Sequence, residues 1–234
     1  VVVLIHGGCW TTGIADLTYM NYAAEDLRKR GLAVWSLEYR GVDVAGGGYP
    51  GTFQDVGAGL DKLGQEAAKW RLSLDHLVVA GHSAGGHLAL WAAARHKLKP
   101  TSPLYVAHPL KISSIVDIAG IPNLETDTKT ACGADVLKQL TGPVTAAHPD
   151  IYADTSPAHL LPLGAPQLVV HGLADDTVRP ELGATYAAAA RKAGDTVVVL
   201  TPPGTHVDEI APGEPAWTLI AERITALAHG APVQ

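Results

Sequence analysis

The pentapeptide Gly81-His82-Ser83-Ala84-Gly85 constrains this chain more than any other stretch. It directly follows the apolar run Leu77-Val78-Val79-Ala80 and directly precedes an alanine-rich run that ends at Ala94. A strand, a G-x-S-x-G turn and a helix, in that order, put the serine on a sharp corner with its hydroxyl above a sheet. Glycine is needed on either side, because a side chain there would meet the neighbouring strand or helix. The corner also sets the amide of Ala84 at a helix N-terminus, where unpaired N–H groups and the helix dipole favour negative charge. A glycine-rich packing turn would explain the pentapeptide alone, but not its setting. Ser83 is the candidate nucleophile.

Strands and helices alternate around that corner. Residues 1–5 read as a buried strand, followed by the loop His6-Gly7-Gly8-Cys9-Trp10. Further strands are expected at 32–37, 74–80, 111–118, 167–170 and 196–200. Helices are expected over 18–30, 52–70, 83–97, 180–193 and 214–228. Thr52 reads as an N-cap, Pro180 as a first helical position, and Gly31 and Gly194 as helix terminators. Residues 121–161 form a long polar stretch with a helical patch at 134–140. We read it as an inserted cap or wall, since long loops in compact domains usually carry function. The alternation implies one domain over 1–234, a mostly parallel sheet with helices on both faces, and a site beyond the carboxyl ends of the strands. Numbering that opens inside a buried strand leads us to expect further sequence before Val1.

Composition excludes several classes. Hydrophobic residues make up 47% and charged residues 17%, which suits a buried sheet and rules out a disordered chain. The net charge of −6 is spread without runs, so neither nucleic acid nor a membrane surface is expected as a partner. No apolar stretch reaches the roughly 18 residues of a membrane span. Cys9 and Cys132 make no metal spacing; a disulfide stays open, but reduced thiols in a cytoplasmic enzyme are the simpler expectation. No G-x-G-x-x-G opens a helix, and neither a cofactor nor a metal is expected. Nothing in the sequence specifies an oligomeric state.

A serine hydroxyl needs a base, and the base needs an orienting acid. In a strand–elbow–helix fold they follow in the order Ser, acid, His. Of 11 histidines, His206 lies between the last expected strand and the final helix. His82 is expected to pack inside the elbow, and His171 to sit in the core with a backbone partner. His108, His148 and His159 read as solvated or substrate-facing. After the preceding strand, His171-Gly172-Leu173-Ala174-Asp175-Asp176-Thr177-Val178 offers Asp175 and Asp176, either of which could serve by distance. Asp208 and Glu209 read as surface charges. A developing oxyanion needs preorganised N–H donors. Gly8 and Cys9 are the candidates beside Ala84, and Trp10 is a candidate substrate-binding wall.

His6-Gly7-Gly8-Cys9-Trp10 fits an H-G-G-x-W loop, and Gly81-His82-Ser83-Ala84-Gly85-Gly86-His87-Leu88 fits G-H-S-A-G-G-H-L. His206-Val207-Asp208 is similar to H-F-D with Val for Phe, and Glu38-Tyr39-Arg40 carries a Y-R after the second strand. On these motifs, over nearly its whole length, the chain resembles the α/β-hydrolase superfamily. The resemblance is to the esterase/lipase branch with an H-G-G-x-W oxyanion loop, which includes kynurenine formamidases (arylformamidases). It implies an α/β-hydrolase fold with a small cap inserted between later strands, and further N-terminal strands before Val1. The H-G-x-x-D-x-x-V pattern of these hydrolases favours Asp175 over Asp176. The implied activity is cofactor-independent cleavage of short-chain acyl or aryl esters through an acyl-enzyme. Ser83, His206 and Asp175 would form the triad, and Gly8, Cys9 and Ala84 would hold the oxyanion. Alternatives are an arylformamidase, a prolyl-oligopeptidase-like peptidase and a non-catalytic hydrolase-fold binding protein. Val207 counts against the first, the absence of an accompanying propeller against the second, and the complete triad against the third.

Overall fold

The computed structural model describes residues 1–126 and 132–234. Its frame is a sheet of β1 (Val2–Ile5), β2 (Val34–Leu37), β3 (Val78–His82), β4 (Ser114–Ile118), β5 (Gln167–Val170) and β6 (Val197–Leu200). The strands run wholly parallel in the order β2-β1-β3-β4-β5-β6. The helices are α1 (Asn21–Lys29), α2 (Gly51–Trp70), α3 (Ala84–Ala94), α4 (Ala134–Thr141), α5 (Pro180–Ala193) and α6 (Pro215–Ala228).

The period of two along each strand divides the core into two layers. Val3, Ile5, Val79, Ile115 and Val169 pack with Leu60 of α2, Leu88 of α3 and Ala187 of α5. Val2, Leu4, Val78, Ala80, Val116 and Leu168 pack with Leu27 of α1 and Ile224 of α6. Both faces of the sheet are covered, so β1 reads as an unbroken apolar run and β3 to β5 carry mostly apolar residues on both faces rather than alternating. β1 has a partner on each side, and all four of its residues are buried. α3 is buried at all eleven positions, which is why its sequence has no polar stripe.

Local details depart from the reading where tertiary contacts override pattern. A short 3-10 turn, Leu17–Met20, precedes α1 and is capped by the Asp16 side chain, which accepts from the Thr18 amide. Thr52 is not an N-cap: α2 starts one residue earlier, and the Thr52 hydroxyl instead donates to the Arg40 carbonyl at 2.5 Å. α5 begins at Pro180 and stops at left-handed Gly194 (φ 105°), as its sequence predicts.

The segment 121–161 carries α4 and a 3-10 turn at Pro157–His159; residues 127–131 of the expected cap lie outside the described residues. Asp154 anchors the segment. Its carboxylate accepts from Tyr49 at 2.9 Å, Ser102 at 2.5 Å and His148 at 3.0 Å, while its carbonyl accepts from the Trp91 indole at 2.8 Å. His148 stacks on Tyr49 and is therefore half-buried structure, not a solvated or substrate-facing group.

Cys9 and Cys132 form a disulfide across 123 positions, which corrects the expectation of reduced thiols. The fold lays the cap segment against the loop after β1, a proximity that sequence spacing does not encode. Among the described residues no helix is long and apolar enough to cross a membrane.

The chain leaves β1 toward β2 on one side and returns to β3 on the other. Strand order therefore reverses at the β1–β3 crevice, the place where open parallel sheets take their ligands. The loop after β1 and the turn after β3 meet there.

Candidate active site

Ser83 ends β3 and opens α3 with φ 55° and ψ −120°, a conformation that costs an L-residue about 1–3 kcal/mol. Its surroundings over-determine that geometry. Its amide donates to the Ile118 carbonyl at 2.8 Å, and its carbonyl accepts from the Gly86 amide at 2.9 Å. A Cβ at Gly81 would overlap the Gly85 carbonyl, and one at Gly85 would overlap the carbonyls of Ile5 and His6. The two motif glycines are thus required by backbone packed against backbone.

Two loops bring the candidate acid and base to the elbow. The loop after β5 carries Asp175 and the loop after β6 carries His206. Backbone bonds stitch them together, from the Leu173 amide to the Pro202 carbonyl and from the Ala174 amide to the Gly204 carbonyl, each 2.9 Å. His206 Nδ1 donates to Asp175 Oδ2 at 2.8 Å. The other Asp175 oxygen accepts from the amides of Thr177 and Val178. Burial opposes the charge on Asp175, but these hydrogen bonds outweigh it and hold the carboxyl below its ordinary range. Asp176 is exposed and takes no part. The Ser83 hydroxyl makes no hydrogen bond to His206 here; such contacts often tighten only when substrate is bound.

His82 packs as expected, and it also has a positioning role that the sequence did not reveal. Its Nε2–H donates to the His206 carbonyl at 2.9 Å, and the two rings lie 4.5 Å apart. Burial, reinforced by His206, pushes its pKa down to about 3, so it is a neutral pin. His171 is a core residue, as expected, with its Nδ1 3.4 Å from the Val178 carbonyl. Glu209 is fully buried, not a surface charge. The turn Asp208–Ile210 folds its side chain inward against Gly172.

The loop after β1 lies against the other side of the elbow. A Cβ at Gly7 would come within 3.0 Å of Ser83 Cβ. Gly8, Cys9 and Trp10 follow with φ of 95°, 50° and 52°, three consecutive left-handed residues of which two are not glycine. Tyr39 supports this turn from below: its hydroxyl donates to the His6 carbonyl at 2.9 Å, and its ring stacks on His6 at 4.3 Å. Glu38 accepts from His6 Nε2 at 2.8 Å, and Arg40 forms a two-pronged pair with Asp55. Glu38 and Tyr39 therefore brace the loop, and Arg40 ties the motif to α2. The amides of Gly8, Cys9 and Ala84 make no hydrogen bond among the described residues.

Trp10 is fully buried and lines no open pocket, contrary to expectation. Its indole N–H donates to His87 Nδ1 at 3.1 Å, and His87 Nε2–H donates to the Thr155 carbonyl at 2.8 Å. Burial keeps His87 neutral, with its pKa near 4. The second histidine of G-H-S-A-G-G-H-L thus links the loop after β1 to the cap segment.

His82, His206 and Glu209 offer one ligand atom each within 4.8 Å of one another. His206 Nδ1 is committed to Asp175 and His82 Nε2 to a carbonyl. A cation drawing on those two nitrogens would have to displace these bonds, which leaves His82 Nδ1 and His206 Nε2 as the uncommitted ring nitrogens.

Solved structures similar to the chain share its fold. Esterase B from Lactobacillus rhamnosis, in a phosphonate-inhibited form, is 21% identical with a TM-score of 0.80, covering 97% of this chain and 75% of its own. Carboxylesterase Cest-2923 from Lactobacillus plantarum is 19% identical with a TM-score of 0.74, covering 100% and 87%. A bifunctional GH43-CE protein of Bacteroides eggerthii is 24% identical with a TM-score of 0.74; 97% of this chain is covered, but the chain spans 31% of that protein's length. No curated protein matches the sequence. The family model described as BD-FAE matches residues 1–189. The chain belongs to the BD-FAE family and has the α/β-hydrolase fold.

Proposed function

We propose that the protein is a serine hydrolase of carboxylic esters with short acyl or aryl groups. The observation that carries this reading is the strained Ser83 elbow, flanked by the 2.8 Å His206–Asp175 pair and by the free amides of Gly8, Cys9 and Ala84. Ser83 Oγ attacks the ester carbonyl while His206 Nε2 takes its proton, and the tetrahedral oxyanion collects on the three amides. The intermediate collapses as His206 returns the proton to the leaving alkoxide, leaving an acyl-Ser83 that water hydrolyses by the same steps. Asp175 holds the proton on Nδ1, which leaves Nε2 free to act as the base. The inhibition of a structural neighbour by a phosphonate suits this chemistry.

Esters have good leaving groups, whereas amides demand a well-aligned protonation of nitrogen. The reading therefore expects the highest kcat/KM on p-nitrophenyl acetate or butyrate, a decline for long acyl chains, weaker turnover of formyl-kynurenine and none of unactivated peptides. Val207, half exposed beside His206, offers no aromatic wall for an anilide ring. The assay panel includes an O-acetylated sugar, because one neighbour is described as a carbohydrate esterase from gut microbiota. A formyl-kynurenine kcat/KM above that of the best ester would make the protein an arylformamidase instead.

A further inference from the structure

Glu209 is a fully buried carboxyl that the mechanism above does not use; no side chain among the described residues hydrogen-bonds to it, and its nearest polar neighbour is the Gly172 backbone. Its Oε1 lies 3.5 Å from the position a Cβ on Gly172 would take, and one of its oxygens is within 4.8 Å of ring nitrogens of both His82 and His206. It thus fills the space behind the triad where the acid loop, the base loop and the elbow strand converge. From this placement we propose that Glu209 is a positioning residue for the triad: its carboxyl braces the Asp175 and His206 loops from behind and keeps the His206–Asp175 pair in register.

The ionisable groups facing it are Asp175 on the acid loop, Asp117 on β4, Asp208 on its own turn, His82 on β3 and His206. No lysine or arginine is among them. Burial first, and then Asp175, pushes its pKa up to about 9, so the neutral form is held at neutral pH. Above that range a further buried anion would repel Asp175 and part the two loops. The linkage has a definite sign. The unfolded chain releases this proton near pH ~4.3, while the folded state retains it to about 9. Folding stability therefore falls as pH rises through that window and levels off above it.

The inference rests on the proposed triad and is tested by Glu209→Gln and Glu209→Ala, using a pH-stat assay of an alkyl ester from pH 6.5 to 10.5. Wild-type kcat/KM should fall through pH 9, and Glu209→Gln should lack that fall while losing less than about threefold at pH 7. Glu209→Ala should lose more than about tenfold in kcat with little change in KM, a loss the Gln variant rescues. The Tm of Glu209→Gln should exceed wild type at pH 8 and match it at pH 4. Coincident wild-type and Gln profiles between pH 7 and 10.5 would overturn the proposal. So would stoichiometric zinc in the purified wild type that is absent from Glu209→Gln, because Glu209 would then be a ligand. Fluorophosphonate labelling of the same preparations tests the triad separately: wild type that labels but shows coincident profiles refutes Glu209 alone.

Discussion

On one side of Ser83 the loop 6–10 is held by covalent and packing constraints: three left-handed residues, the Cys9–Cys132 bond, the Tyr39 hydroxyl and the Trp10–His87 contact. On the other side, the loops after β5 and β6 are held by hydrogen bonds, by neutral His82 and by the buried acid Glu209. On the proposed mechanism the first side supplies backbone N–H groups, which have no protonation state to manage and need only fixed geometry. On the proposed mechanism the second side moves a proton, so its groups need defined tautomers and charge states. The oxyanion side should therefore respond to reductant and not to pH, and the proton-transfer side the reverse.

The largest effect is expected on the proton-transfer side. Asp175→Asn should lower kcat by about 10⁴, because the amide favours the wrong imidazole tautomer. Asp176→Asn, at an exposed position, should change it by less than about twofold. Steady-state kinetics on one ester decides it, and the reverse order would move the acid to Asp176.

A smaller effect is expected across Ser83. Cys132→Ser frees Cys9 from the cap segment and opens a loop of 123 positions. Chain-entropy reasoning caps the stability loss at about 5 kcal/mol, visible as a lower Tm. Left-handed Cys9 would lose its tether, and kcat should fall by roughly tenfold, less than the ~10² for outright removal of an oxyanion donor. Dithiothreitol should reproduce the loss in wild type and leave Cys132→Ser unchanged. Full activity in the variant would mean that packing alone fixes the loop.

The two sides were not equally legible in the sequence. The elbow, Asp175 and His206 each stand at the end of a strand with a local signature, and the motifs carry them. Strand 167–170 and helix 180–193 were also readable to the residue, since Pro180 and Gly194 punctuate the helix. What holds the site together was not readable. Glu209 lies in a short turn without periodicity, and its burial arises only when Gly172 arrives from another loop. Trp10 looked like a pocket wall because an aromatic beside a site can be either wall or core; only its bond to His87 decides. The two motif histidines flanking Ser83 hydrogen-bond to backbone far along the chain, at His206 and Thr155, and local pattern cannot announce such partners.

In the proposed mechanism both sides act through one oxygen, Ser83 Oγ, so the most direct measurement is where a covalent inhibitor attaches. Purified protein is treated with a fluorophosphonate, digested, and its peptides mapped by mass spectrometry, with Ser83→Ala and heat-denatured protein in parallel. The account predicts one stoichiometric adduct on Ser83, with esterase activity lost in proportion. It predicts neither adduct nor turnover in the alanine variant, whose activity should fall by about 10⁴ or more. Absence of labelling in active protein, or an adduct on any other residue, would contradict it.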